Sequence, residues 1–143
     1  MSVTVILSRK GNDIVTLSPD ATLGDAVASL ARNRIGAIVV TNGDMGVEGI
    51  ISERDVVRLI GERGVDVLAE PLAGLMTKAV VTCAPDETVP QIMERMTRGR
   101  FRHVPVVSGG KVVGIISIGD VVKYRVEEME RESAQLRDYI MSA

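Results

Sequence analysis

The chain has 143 residues, of which 45% are hydrophobic and 25% are charged, and this balance argues for a globular domain and against disorder. Its 17 Lys and Arg against 19 Asp and Glu leave a net charge of -2, so the composition does not indicate the basic surface of a DNA-binding protein. Aromatic residues make up only 2%, so few rings are present on which single-stranded nucleic acid could stack. The one cysteine and the one histidine exclude an internal disulfide and a zinc site built from these residues.

The N-terminal segment carries no targeting pattern. Arg9 and Lys10 follow a short apolar stretch, which is the reverse of the order in a secretory signal. No apolar run approaches the roughly 18 residues that a membrane span needs. We therefore expect a cytoplasmic protein that binds neither a membrane nor nucleic acid.

The first half of the chain alternates β-rich runs with amphipathic stretches. Pro19 ends the first run because proline donates no hydrogen bond to a sheet. Thr22 and Asp25 have the spacing of a capping box, and Ser52 is of a type favoured at helix N-caps. The predicted elements are a strand at 15–17, a helix from Thr22, strands at 35–40 and 47–51 around a Gly/Asn turn, and a helix from Ser52.

The second half predicts the same order of elements. Thr88 and Gln91 have the capping-box spacing, and Ser117 corresponds to Ser52. The predicted elements are a strand around Val81 and Thr82, a helix from Thr88, strands at 101–107 and 111–116, and a helix from Ser117. The predicted division is 1–61 for the first unit with the N-terminal segment, 62–76 for a connector, 77–125 for the second unit and 126–143 for a C-terminal helix.

Two sequence blocks occur twice in the same order. Residues 15–22 return as 81–88 at an offset of 66, and 49–57 return as 114–122 at an offset of 65. Such a pair of matches indicates a duplicated unit. Each unit has an apolar sheet face that cannot be buried alone, so we expect the two units to pack against each other around a pseudo-two-fold axis, as an α+β fold of two β-α-β-β-α repeats with a C-terminal helix.

Each unit contains the motif Gly-x-x-Ser-x-x-Asp where a strand meets a helix. The free N–H groups of the helix start and the serine hydroxyl suit a phosphate, and the carboxylate three residues on suits the diol of a ribose. The same spacing is also an ordinary capping box, which is the simpler interpretation of either copy alone. Its double occurrence behind threonine-bearing strands favours a ligand site. The motif residues are Gly49, Ser52 and Asp55, and Gly114, Ser117 and Asp120.

The ordered set of motifs resembles the CBS-domain pair, the tandem of cystathionine-β-synthase domains called a Bateman module, in the form of a small stand-alone bacterial protein. The resemblance covers about residues 3–123. It is carried by Val-Thr-x-x-Pro-Asp-x-Thr in both halves, by the strands at 35–40 and 101–106, and by both Gly-Ile-Ile-Ser-x-x-Asp blocks. It implies a non-catalytic homodimer that binds AMP as the favoured ligand, or ADP, ATP, NAD or S-adenosylmethionine, in two clefts, and relays binding to a regulated protein.

The resemblance implies that each cleft takes residues from both repeats. In the first cleft, Asp55 would hold the ribose, and Ser52, Arg54, Arg102 and His103 would face the phosphate. The full set implied for the first cleft is Ser52, Arg54, Asp55, Val81, Thr82, Ala84, Arg102, His103, Val104 and Pro105. The set implied for the second cleft is Thr16, Leu17, Gly36, Ala37, Ile38, Ser117 and Asp120.

The two implied clefts differ in charge. Gly119 stands where the first cleft has Arg54, and Gly36 and Ala37 stand where it has Arg102 and His103, so the second cleft loses its evident cations. Candidates to replace them are Arg9 and Lys10, which lie upstream of Thr16. Each of four residues also has a simpler interpretation. Arg34 and Arg100 would be solvated cations at helix ends, His103 would be a strand residue hydrogen-bonded to the backbone, and Cys83 would be a small apolar strand residue.

Two other classes of function compete with a nucleotide sensor. Inosine monophosphate dehydrogenase carries a CBS pair, but the roughly 200–250 residues of its catalytic barrel do not fit in this chain. The sequence also lacks a nucleophile–base pair or a metal cluster, so we do not expect an enzyme. The remaining alternative is a ligand-free dimerisation scaffold in which the serines and aspartates only cap helices.

The C-terminal segment predicts a long helix. Residues 120–143 contain no Pro or Gly, enough for a helix of about 36 Å. Six residues follow steps of four and three, the spacing of a coiled-coil seam, so we expect the helix to contribute to a dimer. The alternative is that this apolar stripe folds back on its own domain. The stripe consists of Val122, Val126, Met129, Ser133, Leu136 and Ile140.

Overall fold

The computed structural model describes residues 1–11 and 13–142, so Asn12 of the predicted first unit and Ala143 of the predicted extension lie outside it. The elements are α1 (Val3–Lys10), β1 (Thr16–Leu17), α2 (Leu23–Asn33), β2 (Ala37–Thr41), β3 (Val47–Ser52), α3 (Glu53–Arg63), 3₁₀ turns at Val65–Ala69 and Leu72–Gly74, α4 (Val89–Gly99), β4 (His103–Ser108), β5 (Lys111–Ser117) and α5 (Ile118–Ser142).

Reciprocal capping boxes start the helices where the spacing predicts them. At α2 the Thr22 hydroxyl accepts from Asp25 N at 3.1 Å, and Thr22 N donates to the Asp25 carboxylate at 2.9 Å. Thr88 and Gln91 make the same exchange at α4. Each box satisfies N–H groups that a helix start otherwise leaves without partners, which explains why these local signals were sufficient.

The two sheets differ in size. In the first unit β1 pairs with β2 in parallel and β2 pairs with β3 antiparallel, whereas the second unit has only the antiparallel pair β4 and β5. The strand predicted around Val81 and Thr82 is reduced to one parallel bridge at Cys83. The ladder does not continue toward Val81, because its next hydrogen bond would need an N–H from Pro105, which proline lacks.

Each unit buries its own apolar core. The first core lies between its sheet and α2 and α3, and the second lies between its sheet and α1, α4 and α5. The helices of each unit cover only one face of its sheet, and Ala37, on the opposite face of β2, is buried as well. Val39 and Val112 are buried outside both clusters, and Val112 N donates to the carbonyl of Met45 in the other unit at 2.9 Å.

The connector closes the first core. Val67 and Leu72, from the predicted connector, are 1% and 0% exposed in that core. Leu23 N donates to the Glu70 carbonyl at 3.0 Å and Leu72 N donates to the Ala21 carbonyl at 2.8 Å. The segment between the repeats is therefore a structural part of the first unit.

Helix α1 closes the core of the second unit, as the connector closes the core of the first. Val3 and Ile6 are 0% and 1% exposed in the second core. The isolated bridge between Ser2 and Thr88 corresponds to the bridge between Pro71 and Thr22 in the first unit. The N-terminal segment precedes the first repeat in the chain but packs with the second, which a sequence division at residue 61 does not convey.

Helix α5 leaves the body of the protein. Val121 and Tyr124 are its buried residues, and every described residue from 129 onward is exposed. Val122 is 51% exposed and Leu136 is 60% exposed, so the apolar stripe does not fold back on its own domain. Within the described residues, no helix is both long enough and apolar enough to cross a membrane.

The substitution Ile6→Ala tests the placement of α1. We expect it to lower the free energy of unfolding by about 2–5 kcal/mol, because it removes buried methyl groups from the second core. Chemical denaturation measures the change, with Val57→Ala as the control, since Val57 is 72% exposed and its truncation should change stability by less than about 0.5 kcal/mol. Equal effects of the two substitutions would show that α1 does not pack as described.

Candidate functional site

A first cavity of about 440 Å³ opens where the start of α3 faces the start of β4, which is a volume in the usual range for small-molecule sites. The β3–α3 junction and the β4 edge belong to different repeats, so the cavity combines both halves of the chain. Of the residues implied for this cleft, its walls include Ser52, Arg54, Asp55, Arg102 and His103.

Ser52 and Asp55 form a complete capping box in this cavity. One carboxylate oxygen of Asp55, Oδ2, accepts from Ser52 N at 2.8 Å and from the Ser52 hydroxyl at 2.9 Å, while Asp55 N donates to the same hydroxyl at 3.2 Å. The other oxygen, Oδ1, faces Arg58 Nη2 at 3.5 Å, and the Arg58 side chain is 52% exposed. Oδ1 is therefore the atom left to receive a ligand hydroxyl.

Five residues implied for this cleft are not brought to its walls. Strand alternation places Val104 in the second core, and Pro105 is buried beside it, with its carbonyl accepting from Cys83 N at 3.0 Å. Val81, Thr82 and Ala84 precede α4 on the far side of that bridge, outside the cavity lining.

The cavity includes cations that the sequence analysis did not assign to it. Arg58 and Arg100 both line it, together with Thr77 and Phe101. Arg100 ends α4 in the left-handed conformation, with φ of 57°, as Arg34 ends α2 with φ of 53°. The sequence analysis interpreted both as solvated helix-end cations, and the signal that could have corrected this is the return of arginine at the same offset of 66, at a position that glycine normally takes.

A second cavity of about 460 Å³ lies beside the β5–α5 junction. Its walls contain Gly36, Ala37 and Ser117 of the implied set. Thr16 and Leu17 lie on the outer strand β1, and Ile38 is fully buried in the first core, so these three are not on its walls. Arg34 lines this cavity, which corrects its interpretation as a solvated cation only.

Lys10 pairs with the motif carboxylate beside the second cavity, at Oδ2, the oxygen that also accepts from Ser117 N at 2.9 Å. Its Nζ donates to Asp120 Oδ2 at 2.6 Å and to the Ile115 carbonyl at 2.8 Å, and Lys10 itself lines the cavity while Asp120 does not. Burial raises the pKa of Asp120, but the hydrogen bonds from Lys10 and Ser117 N outweigh burial and hold that pKa below its usual value. The second cavity thus has cations in Lys10, Arg34 and Arg102, but Lys10 is already paired with the implied ribose acceptor.

The two cavities share a wall made of Gly36, Glu53, Arg102 and His103. A Cβ at position 36 would lie 3.0 Å from His103 Nε2, so only glycine leaves the imidazole this room. The pKa of His103 is lowered, mainly because burial disfavours the charged imidazole. The nearby Glu53 and Asp120 act in the opposite direction, and the nearby Lys10 and Arg102 lower this pKa further. His103 is therefore neutral near pH 7.

The described residues offer binding groups and no evident reactive group. Cys83 is 4% exposed, and burial raises its pKa to about 11, so it remains a protonated thiol. Among residues 1–11 and 13–142, no cluster of three His, Cys, Asp or Glu side chains could hold a metal ion. Helix N-termini, arginines and a carboxylate oxygen of Asp55 that faces only the half-exposed Arg58 suit an anionic ligand with a diol.

The CBS domain family matches residues 6–62 and 72–127, and the chain therefore belongs to the CBS-domain family as a pair of CBS domains. A crystal structure of a CBS-domain containing protein from Agrobacterium tumefaciens is 49% identical and has a TM-score of 0.83, covering 87% of this chain and 99% of that one. The α+β fold of two CBS repeats predicted from the sequence is confirmed.

Two further relatives bear on the site. A CBS domain protein from Pyrobaculum aerophilum complexed with AMP is 30% identical with a TM-score of 0.76, covering 84% of this chain and 89% of that one. A mitochondrial CBS domain-containing protein from Arabidopsis thaliana is 36% identical over 125 residues, which are 85% of this chain but 61% of that protein. The chain thus spans less than two thirds of that relative, and the bacterial origin and the cytoplasmic location stay predictions.

His103 is the only histidine of the sequence, so its NMR signal reports on the shared wall without overlap from other histidines. In an NMR titration we expect His103 to have a pKa below its usual value of about 6.5, because burial disfavours the charged ring. Glu53→Gln should lower this pKa further, whereas Glu48→Gln, at an exposed position of β3, should leave it unchanged.

This depressed pKa also predicts a direction for stability. Because its pKa is lower in the folded chain, His103 binds a proton more readily in the unfolded chain. Its contribution to the free energy of unfolding is therefore fully present above the unfolded-state pKa and is lost as the pH falls through the lower folded-state pKa. A His103 pKa at or above the usual value would contradict its buried position.

Proposed function

We propose that the chain is a non-catalytic regulatory module that binds an adenine nucleotide, with AMP the favoured ligand and ADP, ATP or NAD as alternatives. The observation that carries the proposal is the first cavity, where the capping box of α3 faces the Arg102–His103 edge of the other repeat. The AMP complex of the Pyrobaculum relative supports an adenosine ligand for this fold.

The cavity has distinct regions for the parts of a nucleotide. The N-terminus of α3, with Arg54 in its first turn, suits the phosphate. Asp55 Oδ1 suits a ribose hydroxyl, since Oδ2 is held by Ser52. Ile50 and Phe101 offer apolar contact for the base. A micromolar complex needs about −8 kcal/mol, which a charged phosphate contact, a ribose contact and a buried base supply together.

A ligand-free scaffold is the second candidate, because both Ser-x-x-Asp motifs are complete capping boxes. A thermal-shift screen with AMP, ADP, ATP, NAD and S-adenosylmethionine, and with GTP as the comparison, separates the two. A ligand at a hundred times its dissociation constant stabilises the folded protein by about 2.7 kcal/mol. A shift with an adenosine ligand supports the sensor, and the absence of any shift supports the scaffold.

We propose further that the module is a homodimer that relays nucleotide binding to a regulated protein. The exposed apolar stripe of α5 supports association, because Val126, Met129 and Ile140 are 46%, 52% and 64% exposed on a helix that extends from the domain. The regulated protein is proposed from the implied role of the family, and turnover of a nucleotide by the purified chain would overturn the non-catalytic assignment.

Asp55→Ala tests the ribose contact, and Asp25→Ala is its matched control. Both variants lose the carboxylate of a capping box, so both should lose about 0.5–2 kcal/mol of stability, but only Asp55 lies in a cavity. We expect Asp55→Ala to weaken AMP binding by about 100-fold in calorimetry, and Asp25→Ala to leave it unchanged. Equal affinities of the two variants would contradict the ribose role.

The two cavities should bind unequally. Besides the shared Arg102, the first has Arg54, Arg58 and Arg100, whereas the second has Arg34 and a Lys10 that is committed to Asp120. We therefore expect the first to be the tighter and more salt-sensitive site, with a preference for the more highly charged nucleotide. Arg54→Ala should weaken that site about tenfold and reduce its salt dependence. Calorimetry that shows two identical and equally salt-sensitive sites would refute the difference.

A further inference from the structure

We infer that α5 pairs in parallel with α5 of a second copy of this chain, forming a two-stranded coiled coil along the stripe Val122, Val126, Met129, Ser133, Leu136 and Ile140. The inference rests on the proposed homodimer and specifies its contact surface and orientation. It does not depend on nucleotide binding.

The first observation is the helix itself. Residues 129–142 are all exposed, so about 21 Å of helix makes no buried contact with its own domain. An isolated helix of this length is marginal in water, and most helical stability comes from packing of an apolar face. The apolar residues of this segment, among them Leu136 and Ile140, therefore require a partner to stabilise the helix.

The second observation is the direction in which the stripe points. The side chains of α5 that face the domain are Val121 and Tyr124, which are buried, and Glu127 and Glu128, which pair with Arg9 and with the N-terminal amine. With the stripe at the a and d positions of a heptad, these four take the c, f, b and c positions. The stripe thus lies on the face opposite the domain, and a second helix reaches it without displacing a contact between α5 and the domain.

The charged residues beside the stripe favour a parallel over an antiparallel orientation of the two helices. In a parallel pair each g position faces the e position five residues later on the other helix, which sets Arg125 against Glu130 and Glu132 against Arg137. Both are pairs of opposite charge. An antiparallel pairing of the same stripe would set Glu130 against Glu130, Glu132 against Glu132 and Lys123 against Arg137, which are pairs of like charge.

The partner is therefore a second copy and not a different protein, since the flanking charges of α5 complement those of α5 itself. Ser133 occupies the central a position of the stripe, where one polar residue favours a fixed register over alternative pairings. In the parallel arrangement the two Ser133 side chains lie opposite each other.

Ser133→Cys tests this arrangement directly, because it places two thiols opposite each other only in a parallel pair. We expect mild oxidation to convert the variant almost completely to a disulfide-linked dimer, while Arg131→Cys, on an exposed face away from the stripe, remains uncrosslinked. The native Cys83 is buried and does not compete. Failure of Ser133→Cys to crosslink more than Arg131→Cys would overturn the parallel pairing.

A charge exchange tests the same surface in solution, by sedimentation without nucleotide. The wild-type chain should sediment at twice 15.3 kDa at micromolar concentration, Glu132→Arg should weaken the dimer about tenfold, and Glu132→Arg/Arg137→Glu should restore it. A monomeric wild type would overturn the inference and leave the stripe to another protein, and a double variant no tighter than the single one would also overturn it.

Thermal shifts with AMP keep this test separate from the proposed function. Leu136→Lys places a charge in the stripe and should yield a monomer that still binds AMP. A dimer that never responds to nucleotides would refute the sensor and leave the coiled coil standing, whereas a nucleotide-binding chain with no association through α5 would refute the coiled coil alone.

Discussion

The reciprocal hydrogen bonds of Ser52 with Asp55, and of Ser117 with Asp120, are the contacts on which both the fold and the site depend. They fix the point where each unit leaves its sheet and begins a helix, and therefore aim the free N–H groups of that helix into a cavity. One carboxylate oxygen serves the helix, which leaves only the other for a ligand. At α3, helix capping and the candidate site thus share the Asp55 carboxylate, so its loss should affect both.

The route of the chain explains why two nearly identical motifs have different surroundings. The connector closes the first core, and α1, which precedes the first repeat in the chain, closes the second core. Packing of α1 then delivers its last residue, Lys10, to Asp120. The corresponding place beside Asp55 is taken by Arg58, which approaches the other carboxylate oxygen at 3.5 Å. The asymmetry of the clefts follows from the order of the segments as well as from Gly119 standing in place of Arg54 within the motif.

Sequence reasoning predicted the features set by neighbouring residues. Thr22, Ser52, Thr88 and Ser117 all begin helices, because a capping box needs only residues three apart. It missed the packing of α1 and the loss of the strand at Val81, which depend on segments far apart in the chain. It placed Val104 and Ile38 in clefts although alternation buries them, since the resemblance gives a motif and not the face on which each side chain lies. Arg34 and Arg100 were visible as a repeated pair, but their cavities were not.

The shared wall makes the two clefts electrostatically dependent on each other. Arg102, His103 and Glu53 border both cavities, so charge that arrives on one side acts on the other across a few ångströms of partly desolvated protein. His103 is the group most easily changed, because burial holds it neutral while an adjacent anion would favour its protonation. Gly36 permits this close approach, since any larger residue would push the imidazole away from the boundary. The backbone of one repeat and the side chain of the other therefore meet at the boundary between the two cavities.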